Sequence, residues 1–291
     1  MKVATAAYPL DQLSSWAQYE DKIGGWVAEA ATAGADLAVF PEYGAMELAT
    51  LAGSEIAGDL EASLFVVSER LTDADALHRR LAQQFDLHIL AASGPAATET
   101  RPVNRARLFA PTGQSGAQDK QIMTRFERET WGVIGGGPLQ VFDTAIGKIG
   151  VLICYDSEFP LLGRALAGCD LILVPSCTEA LSGYWRVRIG AMARALENQC
   201  VTVMASLVGE APWSEAVDMS TGTGGVFGPP DTGFPATGVL AEGTLNTPGW
   251  TYAEVDLARI AYVRDDGIVL GRAHWPEQIG RDGPPPIVQM R

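Results

Sequence analysis

Hydrophobic and polar positions form two kinds of pattern along this chain. Short apolar runs rich in β-branched residues indicate buried strands, and apolar residues spaced three and four apart indicate helices. We predict strands over residues 2–8, 36–42, 87–93, 105–110, 119–123, 140–144, 147–153, 170–176, 200–207 and 249–255. Helices are predicted over residues 16–32, 54–84, 161–167, 185–198 and from residue 257 onward. Strands that alternate with helices predict an α/β fold.

One pattern occurs twice. Residues 36–41 have the order Asp-Leu-x-x-x-Pro, and residues 170–175 repeat it. Each copy follows a predicted strand and helix, so we expect two similar halves, with two sheets related by a pseudo-twofold axis. The middle of the chain has neither a charge run nor a Pro/Ser-rich spacer, which favours a single domain over residues 1–291. Residues 209–238, rich in Gly, Pro, Thr and Ser, are predicted to be mostly loop and short hairpin.

Composition narrows the classes of function. The chain has 291 residues, is 47% hydrophobic and carries a formal net charge of −14. An acidic chain lacks the basic surface that nucleic acid requires, and no apolar run has the length of a membrane span. The four cysteines and three histidines show no zinc-site or CxxC spacing, so we expect no metal. We also expect a reduced, cytoplasmic protein.

Cys154 stands where a buried strand ends. Residues 149–153 are an apolar run, and the thiol follows immediately. Ligands of open α/β sheets bind at the carboxyl ends of strands, so this thiol is well placed for chemistry. A free cysteine more often packs as a small hydrophobic residue, however. Cys154 alone therefore leaves both interpretations open.

Two other residues could activate such a thiol. Glu42 stands just past the proline that ends the strand in segment 36–42, where partial burial would raise its pKa toward that of a useful base. Lys120 lies at or just beyond the end of the predicted hairpin arm, and an ammonium beside a thiol favours the thiolate and can stabilise an oxyanion. None of the three histidines lies in a loop after a strand. Taken singly, Glu42 is more simply explained as a solvated cap and Lys120 as a surface charge.

In combination these segments resemble the nitrilase superfamily, the carbon–nitrogen hydrolases. The matching blocks are Phe-Pro-Glu at 40–42, Lys120, and Gly-Val-Leu-Ile-Cys-Tyr-Asp at 150–156. Residues 120–128 are similar to the family's K-x-x-x-T-x-x-E-R pattern, which places a second glutamate at Glu127. Residues 194–198 match the family's R-A-x-E-N helix. The resemblance extends over about residues 2–256.

The resemblance implies a fold and a mechanism. The fold is a four-layer αββα sandwich with pseudo-twofold halves. Glu42 would be the general base, Cys154 the nucleophile, and Lys120 with the Tyr155 N–H the oxyanion donors, while Glu127 would orient Lys120 or the substrate. No metal or organic cofactor is implied. A homodimer or higher homo-oligomer is implied, with residues 257–291 as a C-terminal extension that contributes contacts.

The branch of the family is indicated by residues 155–156. Family members that act on nitriles tend to carry Trp-Glu after the cysteine, whereas Tyr-Asp here resembles the amidase and carbamoylase side. We therefore predict hydrolysis of a small linear amide or N-carbamoyl compound. Nitrile hydrolysis, a binding protein that has lost turnover, and a redox thiol protein remain alternatives. The predicted substrate-binding residues are Tyr43, Trp131, Tyr155, Ser176, Thr178 and Trp185.

Overall fold

A computed structural model describes residues 1–281 and 283–290. The strands are β1 (Lys2–Pro9), β2 (Leu37–Val39), β3 (His88–Leu90), β4 (Gly94–Ala96), β5 (Val103–Phe109), β6 (Ser115–Asp119), β7 (Phe142–Thr144), β8 (Gly147–Val151), β9 (Leu171–Ser176), β10 (Val201–Glu210), β11 (Met219–Ser220), β12 (Gly225–Phe227), β13 (Val239–Glu242) and β14 (Gly249–Glu254). The helices are α1 (Trp16–Thr32), α2 (Ser54–Gly58), α3 (Leu60–Phe85), α4 (Pro160–Ala165), α5 (Leu181–Asn198), α6 (Leu257–Asp266) and α7 (Gly271–His274). Short 3₁₀ or π segments lie at Gly44–Ala52, Glu127–Trp131, Cys154–Glu158 and Trp275–Gln278.

The main sheet has the order β4-β5-β3-β2-β1-β10-β9-β8-β7. Strands β1, β2 and β3 are parallel, and so are β10, β9 and β8. The two parallel units join where Ala7–Pro9 of β1 pairs with Ser206–Val208 of β10. Because these residues are at the carboxyl ends of both strands, the strand ends of the two halves meet in one place.

The two faces of the sheet belong to two apolar cores. On one face, Ala4 and Tyr8 of β1 pack with Ile23 of α1 and Leu64 of α3. On the other face, Val3 lies in the same core as residues of β8–β10 and of the helix α5. The layers are therefore helices, the first half of the sheet, the second half of the sheet, and helices. The predicted four-layer α/β sandwich is confirmed in this arrangement, but the two predicted sheets are one continuous sheet, because β1 pairs with β10.

The boundaries of several elements differ from those predicted. The helix predicted over 54–84 is broken at Asp59, whose side chain caps α3 by accepting a hydrogen bond of 2.7 Å from the Ala62 N–H. The second hairpin arm, predicted at 119–123, is β6 instead. The turn closes early because the Ala110 N–H bonds the Gln114 carbonyl and Gly113 has φ +85°. Lys120 consequently lies just past the end of β6.

The C-terminal part begins as an integral element of the fold. Ile260 and Val263 of α6 are fully buried, and Arg264 donates to the carbonyl of Cys169 and the carboxylate of Asp170. Beyond α6 most side chains are exposed. Within residues 1–281 and 283–290, every helix is too short or too polar to cross a lipid bilayer.

Candidate active site

Cys154 opens a tight turn directly after strand β8. Its φ is +51°, in the left-handed region that costs a residue with a Cβ about 1–2 kcal/mol. The turn Cys154–Glu158 is closed by a hydrogen bond of 2.7 Å from the Ser157 hydroxyl to the Cys154 carbonyl. Backbone strain of this kind is found at functional sites, where the surrounding structure maintains it.

Helix α5 supports this turn from behind. The Arg194 guanidinium donates a hydrogen bond of 2.8 Å to the Ser157 carbonyl and also pairs with Glu197. Gly190 allows the helix to approach closely, since a Cβ there would lie 2.8 Å from Ser157 oxygen atoms. Helix α5 thus holds the cysteine turn by the hydrogen bond from Arg194 and by close packing at Gly190.

Glu42 lies beyond the end of β2 and is 1% exposed. One carboxylate oxygen accepts hydrogen bonds of 2.7 Å from Lys120 Nζ and 2.9 Å from Asn104 Nδ2. The other oxygen accepts a hydrogen bond of 2.9 Å from the Cys177 N–H. These three donors hold the carboxylate in one orientation.

Glu127 occupies the other side of the lysine. Lys120 Nζ donates to Glu127 Oε2 at 2.6 Å, so the ammonium bridges two buried carboxylates. Glu127 also accepts hydrogen bonds of 2.7 Å from the Tyr43 hydroxyl and 2.8 Å from the Thr124 hydroxyl. Lys120 is itself 1% exposed, and its ammonium is held at a defined position.

The thiol and the charged groups share one cavity of about 310 Å³. The Cys154 thiol donates to the Cys177 carbonyl at 3.8 Å and interacts with the Glu42 carboxylate. The cavity is lined by Glu42, Tyr43, Lys120, Thr124, Phe126, Glu127, Trp131, Cys154, Cys177, Glu179, Glu215, Ala216, Val217, Asp218 and Met219. The structure therefore brings Glu42, Lys120, Glu127 and Cys154 together in a single pocket.

The surroundings shift the pKa values of the Glu42 and Glu127 carboxylates in opposite directions. Burial raises the pKa of Glu42 to about 7, against the lowering effect of Lys120. Burial also acts upward on Glu127, but Lys120 and hydrogen bonds from Tyr43 and Thr124 outweigh it and leave its pKa below the ordinary value. Glu127 is therefore the charged partner of the lysine, and Glu42 can exchange a proton near neutral pH.

The thiol and the ammonium are shifted as well. Burial, and then the Glu42 charge, raise the pKa of Cys154 well above its ordinary value. Burial alone would lower the pKa of Lys120, but the two carboxylates reverse this and raise it strongly. The resting site thus holds a neutral thiol beside a permanent cation.

Two of the six predicted substrate-binding residues line the cavity. Tyr43 and Trp131 form part of its wall, with ring centroids 4.8 Å apart. The structure places the other four side chains elsewhere. Tyr155 packs edge-to-face against Phe159, and Trp185 is 46% exposed on the outside of α5.

The hydroxyls of Ser176 and Thr178 are engaged with backbone. Ser176 donates to the Ala205 carbonyl at 2.8 Å, and Thr178 donates to the Thr221 carbonyl at 2.8 Å. The strand end that carries them contributes Cys177 and Glu179 to the cavity instead. Side chains alternate in direction along an extended segment, which separates these two pairs.

Several residues at the site were missed from the sequence. Asn104 is fully buried in β5 and contacts Glu42, and a buried amide in an apolar strand was the available signal. The position of Cys177 after the repeated strand pattern predicts that it lines the pocket, but the role of its backbone N–H has no sequence signature. The segment 215–219 was assigned only to a loop, yet it forms one wall of the cavity. Within the described ranges 1–281 and 283–290, no cluster of metal-ligating side chains occurs.

The chain belongs to the carbon–nitrogen hydrolase family, whose family model matches residues 2–265. It is 33% identical over 273 residues to the probable hydrolase YhcX of Bacillus subtilis, covering 92% of this chain and 52% of that protein. This chain thus spans about half the length of that relative.

Solved structures confirm the fold. Nit3 of Saccharomyces cerevisiae, a member of branch 10 of the nitrilase superfamily, superposes with a TM-score of 0.70 and 22% identity, covering 91% of this chain and 93% of Nit3. An amidase variant from Nesterenkonia sp. AN1, with acrylamide added to its active-site cysteine, gives a TM-score of 0.66 and 23% identity. That match covers 96% of this chain and 99% of the amidase.

Proposed function

We propose that this protein hydrolyses the carbon–nitrogen bond of a small linear amide or N-carbamoyl compound through a thioester at Cys154. One observation carries the proposal: a buried carboxylate–ammonium–carboxylate chain opens onto the same cavity as a thiol on a strained turn. A base with a pKa near neutrality, a nucleophile and a fixed cation are the groups that acyl transfer requires. Membership of the carbon–nitrogen hydrolase family supports this reaction class.

The reaction begins with proton transfer from the Cys154 thiol to the Glu42 carboxylate as sulfur attacks the carbonyl carbon. The tetrahedral intermediate then collapses, the carbon–nitrogen bond breaks, and the leaving amine or ammonia takes the proton from Glu42. A water molecule next gives a proton to Glu42 and attacks the thioester. Collapse of this second intermediate releases the acid and returns the proton to the Cys154 sulfur.

Lys120 and the Tyr155 N–H stabilise the oxyanion in both intermediates. Glu127 keeps Lys120 protonated and oriented, because it accepts one ammonium N–H while Glu42 accepts another. Removing one oxyanion donor typically costs a factor of about 10²–10³ in kcat. No step calls on a metal ion or an organic cofactor.

The test compares matched substrates and one variant. Ammonia release is measured from a panel of paired amides, N-carbamoyl amines and nitriles, and the acyl-enzyme is sought by intact-protein mass spectrometry. We expect turnover of amide or carbamoyl compounds, a transient acyl adduct on Cys154, and no turnover by Cys154→Ala.

Three results would contradict the proposal. Activity retained in Cys154→Ala would exclude the thioester, and preferential turnover of nitriles would favour a nitrilase. A panel that gives neither ammonia nor an adduct would favour a binding protein. Glu42→Gln and Lys120→Ala should also be inactive while retaining the folded circular dichroism spectrum.

A further inference from the structure

Asp156 is a fully buried carboxylate two residues after Cys154. Its hydrogen-bond partners in the described part of the chain are all backbone N–H groups. The Ile122 N–H donates at 2.9 Å, the Gln121 N–H at 3.1 Å and the Ile153 N–H at 3.2 Å. A buried charge is costly unless it is well hydrogen-bonded, so this arrangement needs an explanation.

These donors come from both sides of the catalytic pocket. Gln121 and Ile122 directly follow Lys120, and Ile153 directly precedes Cys154. The two segments are separated by more than 30 residues and follow different strands, β6 and β8. A single carboxylate therefore links the backbone that carries the ammonium to the backbone that carries the thiol.

The remaining backbone contacts of Lys120 do not make this link. Its N–H donates to the Asn104 carbonyl at 2.8 Å, and its carbonyl accepts from Gly136 at 3.0 Å. Both contacts tie Lys120 to its own half of the pocket. Asp156 thus provides the direct link between the backbone that follows Lys120 and the backbone of the cysteine turn.

A carboxylate suits this position better than an amide does. Its two oxygens accept from three N–H groups, whereas an asparagine in the same place would direct its NH₂ group at a backbone donor. Burial raises the pKa of Asp156 to about 6, against the lowering effect of these N–H groups and Lys120. The carboxylate is therefore ionised at neutral pH.

We propose that Asp156 is a positioning residue that holds the Cys154 turn in register with Lys120. The inference rests on the proposed function of this pocket, and it concerns how the pocket is assembled. Asp156 has no contact with substrate in this scheme. It acts by keeping the sulfur, the base and the oxyanion donor in their reactive geometry, where a displacement of about 1 Å can cost a factor of about 10² in rate.

The test uses Asp156→Asn, which preserves shape but removes charge and one acceptor. We expect kcat to fall about 100-fold with KM little changed, since the reacting groups rather than the substrate contacts are displaced. The matched control is Asp231→Asn. Asp231 also accepts backbone hydrogen bonds, from Ile268 and Thr232, but it does not line the catalytic cavity.

A second readout does not depend on the substrate. Alkylation of Cys154 by iodoacetamide is followed by peptide mass spectrometry, with Cys177 in the same cavity as the internal standard. We expect Asp156→Asn to slow alkylation of Cys154 relative to Cys177, and Asp231→Asn to leave the ratio unchanged. If the wild type hydrolyses no amide, the proposed function fails, but this ratio still decides the role of Asp156.

A purely structural role predicts a different outcome. Asp156→Asn would then melt at a lower temperature but retain the wild-type kcat and alkylation ratio, which would overturn the inference. Should Asp156→Asn fail to fold, Asp156→Glu is measured in the same way. It keeps the charge but lengthens the side chain, so wild-type kcat in a folded Asp156→Glu would equally exclude a positioning role.

Discussion

Glu42 and Glu127 have the same side chain, but their pKa values are shifted in opposite directions in this pocket. Both are buried and both bond Lys120, yet burial dominates the pKa of Glu42, while Lys120, the Tyr43 hydroxyl and the Thr124 N–H dominate that of Glu127. The charge of Glu127 raises the pKa of Glu42 further, whereas the donors around Glu127 lower its own pKa. This difference assigns Glu42, and not Glu127, as the group able to gain and lose a proton near pH 7.

The pH dependence of kcat/KM follows from this assignment. Glu42 must be ionised to accept the thiol proton, so kcat/KM should fall about tenfold per pH unit below about 7, the pKa of Glu42. A steady-state pH profile measures this limb. The pKa of Asp156 is lower, at about 6, so the decline of kcat/KM should become steeper below that pH.

The rim variant Glu179→Gln serves as the control for the profile. Glu179 lines the cavity but has no hydrogen bond to the groups in the proton transfer. The pH below which kcat/KM falls should therefore be the same in Glu179→Gln as in the wild type. An acid limb near 4.5, the ordinary value for glutamate, would show that Glu42 is not the base.

At the level of elements, helix α5 determines the shape of the cysteine turn. Gly190 touches that turn, and the Cβ of an alanine there would collide with the backbone of Ser157. We expect Gly190→Ala to lower the free energy of unfolding by about 1–3 kcal/mol, the range for overpacking, and to lower kcat as well. Chemical denaturation and steady-state kinetics check the two effects.

Helix α1 offers a matched control. Gly24 lies inside that helix, and a Cβ at this position would meet no atom within 4 Å. Since alanine is the better helix former, Gly24→Ala should stabilise the protein by about 0.5–1 kcal/mol and leave kcat unchanged. If Gly24→Ala and Gly190→Ala destabilise the protein equally, the loss at Gly190 does not come from its contact with the cysteine turn.

The segment between β10 and β12 adds two negatively charged side chains to the lining of the cavity. Glu215 and Asp218 from this segment face the cavity together with Glu179. Lys120 is the single basic residue among the described lining residues, and both of its nearest carboxylates are already paired with it. A substrate with a carboxylate would therefore find no counter-charge here, whereas an ammonium group would.

We expect amides that carry a distant ammonium group to be preferred over matched anionic ones. Glu215→Gln and Asp218→Asn should each lower kcat/KM for the cationic substrate about two- to fivefold, the effect of an exposed ion pair. The neutral substrate should be unaffected. Glu210→Gln, outside the cavity lining, is the control, and equal kcat/KM for cationic and anionic amides would contradict the expectation.

At the scale of the whole molecule, several large apolar side chains are exposed on the second helical layer and on the C-terminal segment. They lie on α4 and α5 and along the C-terminal segment, and include Leu161, Leu181, Trp185, Ile189, Leu196, Ile279, Ile287, Val288 and Met290. Large apolar side chains left exposed on packed helices are candidates for an interface. We expect it to be covered by a second copy of the chain.

Sedimentation equilibrium at micromolar concentration tests this association. The wild type should be a dimer or larger, and Ile189→Glu should shift it toward monomer because a charge would be buried in the interface. Phe65→Glu, on the helical layer at the opposite side, should leave the assembly intact. A monomeric wild type would remove the basis for this expectation.

Local pattern was enough to predict much of the architecture. Helix α1 has the bounds predicted from its apolar spacing, and the repeated Asp-Leu-x-x-x-Pro pattern corresponds to the strands β2 and β9. Errors occurred where a single residue changes the local outcome, as at Asp59, which caps a new helix, and at Gly113, which closes the hairpin early. Such effects depend on backbone dihedral angles that hydrophobic periodicity does not encode.

Residue type and position near a strand end made Glu42, Lys120 and Cys154 candidates, because strand ends of an α/β sheet converge whatever the details of packing. The resemblance to the carbon–nitrogen hydrolases selected these three together and added Glu127. Only the tertiary structure decided which neighbours complete the pocket. The Cys177 N–H, the Asn104 amide and the Asp156 carboxylate act through contacts between segments far apart in the chain. Those contacts depend on distances that packing sets, and so does the protonation of each carboxylate, because burial and neighbouring charge exist only in the folded chain.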